Sequence, residues 1–327
     1  MKKFCPKYFF PVLIVLWSAC SKQDVATVDY REEMRSFVQQ ISAKGKSWRA
    51  GFVVIPQNGL DLLTTHGGPA SPHATAYLQA IDGVGQEEVF YGYDNNDDVA
   101  TPTYEHTMML DMCRFANLNG KKVLLTDYAT TPQHQSDAYN QYYLESFLGF
   151  VADHRDLDDI PPLPSSITTD TLDIDSLYKA QNFLYLINPS SFTSKEEFLD
   201  KLAATPYDLI VMDLSFDEST QLTSADLDRI RIKPQGGRRM LICYMSIGEA
   251  ENYRSYWKNE WYAGQPSFLV AEDPSWVDNY FVKYWDPSWQ QMICGDTDSY
   301  LRRVIDAGFD GVYLDKVDAY EFFEEGK

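Results

Sequence analysis

The chain has 327 residues, 44% of them hydrophobic, and a net charge of −20. That is enough for one large domain or two ordinary ones, and it argues against a nucleic-acid partner, because binding phosphates needs clustered Lys and Arg. The 22 Tyr, 18 Phe and 7 Trp leave two readings open, a large core or a cleft with stacking surfaces.

Residues 1–20 read as a targeting segment. Lys2, Lys3 and Lys7 are its basic end, and the apolar run over 8–17 is too short to span a bilayer as a helix. Leu16-Trp-Ser-Ala-Cys20 is similar to a bacterial lipoprotein signal, which would make Cys20 a lipidated first residue and leave a mature charge of −23, three lysines having gone. The alternative is an ordinary secretory signal with Cys20 left free. No other stretch is long and apolar enough to span a membrane. Cys113, Cys243 and Cys294 have no disulfide-framework or zinc spacing.

After a tether over 21–28, Met34, Phe37, Val38 and Ile41 recur at helical spacing and predict a helix over 29–44. Strands follow over 52–58 and 81–92, then a helix over 104–118 stopped by Asn119-Gly120. Next come strand 122–127, helix 133–147 and strand 149–151. Residues 155–175, with Pro161, Pro162 and Pro164, have linker composition. The alternation resumes with strand 183–187, helix 194–202 capped by Ser194 with Glu197 three residues on, strand 208–213, helix 223–231 and strand 240–247. An aromatic helical segment over 250–262, strand 281–285, helix 296–307 and strand 310–315 complete the order. About eight strands alternating with helices predict a parallel α/β fold over 29–327, most simply a closed (β/α)8 barrel.

Most of the apolar runs close on a carboxylate or amide. Val123-Leu-Leu-Thr-Asp127, Leu209-Ile-Val-Met-Asp213, Phe281-Val-Lys-Tyr-Trp-Asp286 and Gly311-Val-Tyr-Leu-Asp315 are four. The run from Leu241 closes on Glu249, and the run from Phe52 on Gln57 and Asn58. The C-terminal ends of barrel strands are where such a fold keeps its chemistry. There is no phosphate-cradling loop, dinucleotide fingerprint, nucleophile elbow or His-Glu-x-x-His, and the five His are scattered. Acids, amides and aromatics suit glycoside hydrolysis, which needs two carboxyl groups and little else.

Three stretches carry a specific resemblance: Tyr244-Met-Ser-Ile-Gly-Glu-Ala-Glu-Asn-Tyr-Arg254, Tyr284-Trp-Asp-Pro-Ser-Trp289, and Gly308-Phe-Asp-Gly-Val-Tyr-Leu-Asp-Lys-Val-Asp-Ala-Tyr320. They resemble glycoside hydrolase family 114, the endo-α-1,4-polygalactosaminidases. The resemblance implies a TIM-type barrel that uses no cofactor and cleaves a galactosamine-rich polysaccharide, cationic where deacetylated. Asp315 matches the acid of the family's Asp-x-Val-Asp motif, one catalytic carboxylate, with Asp318 in support. The second falls on the strand holding Glu87 and Glu88. Only one of two adjacent strand residues faces a cleft, and Glu87 is the better match. The separation of the pair would set the stereochemistry, about 5–5.5 Å for retention and roughly 6.5–9.5 Å for inversion. The order of segments departs from the family: those resembling its later strands come first here. A circular permutation with its joint at 155–175 accounts for this, the alternative being a truncated half preceded by an unrelated domain. Permutation predicts that strand 310–315 pairs with strand 52–56 and that residues 29 and 327 lie close together.

Asp213, Glu249, Asp286 and Asp127 are candidates for sugar hydroxyls, or else simply pair with Lys316 and Arg254. Tyr91, Tyr93, Tyr128, Tyr244, Tyr253 and Trp285 are candidate stacking platforms, about half of them expected in the core. Gln57 and Asn58 are candidate donors to substrate, and Lys316 and Asp318 complete the substrate-binding set. No metal is expected. The expected partners are a polysaccharide and, through the lipid anchor, a membrane, with the protein extracytoplasmic and monomeric. Two other functions stay open: a non-catalytic surface glycan-binding lipoprotein, and a metal-dependent polysaccharide deacetylase or esterase.

Overall fold

Eight short strands carry the architecture: β1 (Val53–Pro56), β2 (Gly83–Glu87), β3 (Lys122–Tyr128), β4 (Leu148–Ala152), β5 (Phe183–Leu186), β6 (Leu209–Met212), β7 (Met240–Ser246) and β8 (Gly311–Asp315). Nearly all their residues are buried, as parallel strands covered on both faces must be. The computed structural model describes residues 28–162, 164 and 169–326, so the proposed signal segment and Cys20 lie outside the described residues.

One parallel sheet runs β5-β6-β7-β8-β1 and a second runs β2-β3-β4. They meet where Gln57 bridges Gly85 in parallel and the Asp82 N–H donates to the Val54 carbonyl at 2.9 Å. On the other side β4 packs near β5, with the Phe150 and Phe183 rings 5.9 Å apart. The pairing expected between 310–315 and 52–56 is present, in register from Val53 opposite Gly311 to Pro56 opposite Leu314. The two ends of the described chain also meet. Arg31 Nε donates to Glu324 Oε1 at 2.9 Å, and the Tyr30 and Phe323 rings are 5.4 Å apart.

The helices are α1 (Tyr30–Trp48), α2 (Thr75–Ala80), α3 (Thr103–Leu118), α4 (Pro132–Glu145), α5 (Lys195–Ala203), α6 (Ser224–Ile230), α7 (Pro287–Cys294), α8 (Tyr300–Ala307) and α9 (Tyr320–Glu324). Asp29 caps α1 by accepting from the Glu32 N–H, and Met34, Phe37, Val38 and Ile41 are buried as their spacing requires. Ser194 caps α5, and Thr223 with Asp226 forms a capping box on α6. Among the described residues no helix is long and apolar enough to cross a membrane.

Four expectations fail locally. Residues 250–262 are not helical: Glu249–Glu251 is a strand, antiparallel to Asn279–Val282, which pairs in turn with Leu269–Glu272. The strand expected at 281–285 therefore belongs to this antiparallel side sheet and is no part of the parallel set. Its aromatics pack on neighbouring loops and on α9, Tyr280 on Trp257 at 5.0 Å and Phe281 stacked on Phe322 at 4.0 Å. The strand expected over 81–92 ends at Glu87, because Glu88 turns to a left-handed φ of 58°. The helix expected over 296–307 covers only 300–307, with α7 before it and Ser299 capping its start.

Candidate active site

A cavity of about 1210 Å³ opens over the C-terminal ends of the parallel strands, and Glu87 and Asp315 both line it. Glu87 ends β2. Its Oε1 accepts from the Tyr128 hydroxyl, and its Oε2 accepts from Asn58 Nδ2 at 3.1 Å. Asn58 is aimed by the Glu87 N–H and by Gln86 Nε2, both donating to its Oδ1 at 3.2 Å. The left-handed turn at Glu88 sends that neighbour to Arg155 Nη1 at 2.7 Å.

Asp315 ends β8. Its Oδ2 accepts from the Tyr244 hydroxyl at 2.6 Å and its Oδ1 from the Lys316 N–H at 2.8 Å. Burial, and after it the Glu87 charge, push its carboxyl above the ordinary range, with Lys316 and Tyr244 pulling the other way. Asp318, also in the lining, is pushed up to about 7 by burial and by the Asp315 charge. Gln57 lies beneath, accepting from the Tyr185 hydroxyl at 2.8 Å.

Gln57, Asn58, Tyr128, Asp213, Tyr244, Lys316 and Asp318 thus share the cavity with the two carboxylates. Asp213 is charge-paired, its Oδ2 2.5 Å from Arg254 Nη1, while Glu251 grips the other side of the same guanidinium at 2.6 Å. Arg155 stands 4.2 Å from the centroid of the Tyr128 ring and binds Glu88 and Asp97. Among the described residues the cavity's three cations, Arg155, Arg254 and Lys316, are therefore all occupied by acids. Asp156, Asp217, Glu218 and Glu321 add to its negative lining.

Five expected site residues lie outside this lining. Asp127 is fully buried and accepts from the Phe90 and Tyr91 N–H groups at 2.7 and 2.8 Å and from the Tyr142 hydroxyl at 2.5 Å; burial lifts it to about 6. It braces a loop. Tyr91 donates to Asp137 at 2.8 Å and stacks on His134. Glu249 is sealed beneath Lys316, its Oε1 2.9 Å from Nζ, so it holds that ammonium and does not face the cavity. Trp285 packs against Tyr30 and Phe323, and Asp286 caps α7 through the Ser288 N–H at 2.8 Å. The last two fail because their strand is not one of the parallel eight.

Sequence reasoning missed Arg155, assigned to a linker, and Tyr185, Asp273 and Trp276. Tyr185 was legible from strand alternation. Trp276, part-exposed in the turn between Leu269–Glu272 and Asn279–Val282, had no signal once that hairpin was unrecognised. Among the described residues Asp153, His154 and Asp159 bring ligand atoms within 4.8 Å of one another. His154, however, has both ring nitrogens on carboxylates, Asp158 and Asp153 at 2.6 Å each, and Asp158 first among them raises it to about 9.

The family model for glycoside-hydrolase family GH114 matches residues 193–326. An uncharacterized protein of Deinococcus radiodurans is 44% identical over 123 residues, 38% of this chain and 37% of that protein. An uncharacterized protein of Methanocaldococcus jannaschii is 42% identical over 127 residues, 39% and 35% of the two chains. One of Thermotoga maritima is 39% identical over 125 residues, 38% and 37%. This chain thus spans little more than a third of the length of each of these relatives. A solved structure, Aspergillus fumigatus Ega3 in complex with galactosamine, is 28% identical over 35% of this chain and 39% of that one, with a TM-score of 0.25. Over residues 193–326, less than half of its length, the chain is thus similar to glycoside-hydrolase family GH114.

Proposed function

We propose that the protein hydrolyses glycosidic bonds in an amino-sugar polysaccharide, with Asp315 as nucleophile or charge stabiliser and Glu87 as general acid and base. The observation that carries this reading is the pair itself. Two carboxylates from different strands line one cavity, and each accepts a hydrogen bond from a tyrosine on the strand beside it, Tyr128 for Glu87 and Tyr244 for Asp315. Glycoside hydrolysis asks for two such groups on either side of the scissile bond, one protonating the leaving oxygen and one facing the sugar carbon or its water. An acidic cavity whose cations are already neutralised suits a cationic chain such as a partly deacetylated α-1,4-galactosaminan. Exposed Tyr253 and Trp276 on its rim offer faces for sugar rings.

The scaffold of this reading is a closed eight-strand barrel, circularly permuted relative to the family. Support comes from the pairing of β1 with β8, the Gln57–Gly85 bridge, and the contact of the described ends.

The test measures reducing ends released from a glycan panel by the full chain, by Asp315→Asn and by Glu87→Gln. Each substitution is expected to cut turnover of a galactosamine polymer by about 10²- to 10⁴-fold. Wild-type rates in both variants would end the proposal. Binding without release by the wild type points instead to a glycan-binding surface protein, and acetate release that a chelator abolishes, with no new reducing ends, to a metal-dependent deacetylase.

A further inference from the structure

Lys316 leaves the end of β8 in the left-handed region, with φ 58°, a conformation that a residue with a Cβ rarely takes. The turn has two results. It brings the Lys316 N–H onto Asp315 Oδ1 at 2.8 Å. It also carries the side chain under the side sheet, where Nζ lies 2.9 Å from Glu249 Oε1 and 2.8 Å from Asp273 Oδ2. Glu249 is fully buried and Asp273 is 5% exposed. Glu249 comes from the sheet's first strand, and Asp273 from the residue after Leu269–Glu272. The Phe281 ring flanks the ammonium at 5.8 Å. Gly248 is needed here, because a Cβ on it would overlap the Lys316 carbonyl.

Burying an ammonium between two carboxylates is costly unless the geometry is well matched, and it is a weak route to stability alone. Burial pushes Glu249 up to about 9, so it is protonated at neutral pH and can donate to Asp273. Asp273 is held below the ordinary range because Lys316 and the Ser275 N–H outweigh its burial. The assembly is then one cation, one anion and one neutral acid, locked against the backbone that bears Asp315.

We propose that Lys316 is a positioning residue for Asp315: Glu249 and Asp273 fix its ammonium from the side sheet, and the fixed turn presents a charged Asp315 carboxylate to the cavity. This rests on the catalytic reading of Asp315. The other groups facing Asp315 are Glu87 across the cavity, Tyr244 on β7, Tyr185 on β5, Tyr313 on β8 itself and Asp318 in the following turn. Among them Lys316 supplies the one positive charge.

The experiment compares wild type, Lys316→Met, Lys316→Arg and Asp315→Asn for release of reducing ends from partly de-N-acetylated galactosaminan between pH 4 and 8. Lys316→Met is expected to lower kcat about tenfold and to move the acid limb of the pH–rate profile up by about one pH unit; Lys316→Arg recovers most of both. A rate loss with an unmoved acid limb, or an Arg variant no better than Met, overturns the proposal. Should Lys316→Met not fold, Asp273→Asn removes one anchor and leaves the amine in place. A lower kcat is expected there, because the turn that presents Asp315 has lost one tie to the side sheet, and an unchanged kcat overturns the proposal. Full activity in Asp315→Asn, or no release by wild type, overturns the catalytic reading on which it rests; inactive Asp315→Asn with an unmoved limb in Lys316→Met overturns the lysine's role alone.

Discussion

Tyr128 and Tyr244 do the same job on two strands. Each hydroxyl points at a carboxylate, and each ring has a guanidinium near its face, Arg155 at 4.2 Å and Arg254 at 5.9 Å. A cation over a phenol ring makes its hydroxyl a better donor. The aromatic and acidic residue types were legible in the sequence, and pairing of the acids with Lys316 and Arg254 was one of two readings there, but which acid meets which base was fixed only by the folded loops, as with Asp213 on Arg254. Glu249 shows the consequence for stability. Its folded pKa of about 9 stands above its ordinary 4.5, so its contribution to stability is fully present below about 4.5 and is lost as pH rises toward 9. Glu249→Gln removes that loss. Relative to wild type, the variant is expected to gain stability between pH 5 and pH 8, by at most about 4 kcal/mol. Urea denaturation at the two pH values checks it, and parallel stability curves would contradict a buried neutral acid.

The elements that alternate cleanly in the sequence were readable, since apolar strands and capped helices announce themselves through period and punctuation. Residues 249–282 were not. Their aromatics, Trp257, Trp261, Phe268 and Tyr280, pack on one another and mimic a helix in composition while the backbone runs as an antiparallel hairpin. Trp285 and Asp286 were lost with that misreading. Inside the parallel strands, β2 and β8 are not hydrogen-bonded neighbours, yet they touch through Gly85. Tyr313 crosses the interior and rests its ring and hydroxyl on the Gly85 backbone, where any Cβ would overlap them. Gly85 lies two residues before Glu87, so this contact helps set the level at which that carboxylate emerges. Gly85→Ala is expected to cost about 1–3 kcal/mol through overpacking, measured by chemical denaturation. A neutral result would mean that Tyr313 can move aside freely.

On the scale of the whole molecule, the alternation of strands and helices and the odd order of the family-like segments were readable in the sequence, while the side sheet over the acidic cavity, which takes in the strand expected at 281–285, emerged only in the folded chain. The Arg31–Glu324 pair joins positions 293 residues apart, and β1 pairs with β8 over four registered positions. If the fold is a permuted barrel, joining residue 28 to residue 326 by a short linker and opening the chain within 155–175 should return a protein with the same cooperative melt. Failure to fold would mean that the 155–175 connection does more than bridge two strands. The seam between first and last strands also bears on synthesis. While the polypeptide is still emerging from the ribosome, β1 has one flank open until β8, its hydrogen-bonded neighbour, has been made. Such an edge invites pairing with other chains. A cell making this protein therefore needs something to shield that flank, or a delay in compaction, until β8 has been made.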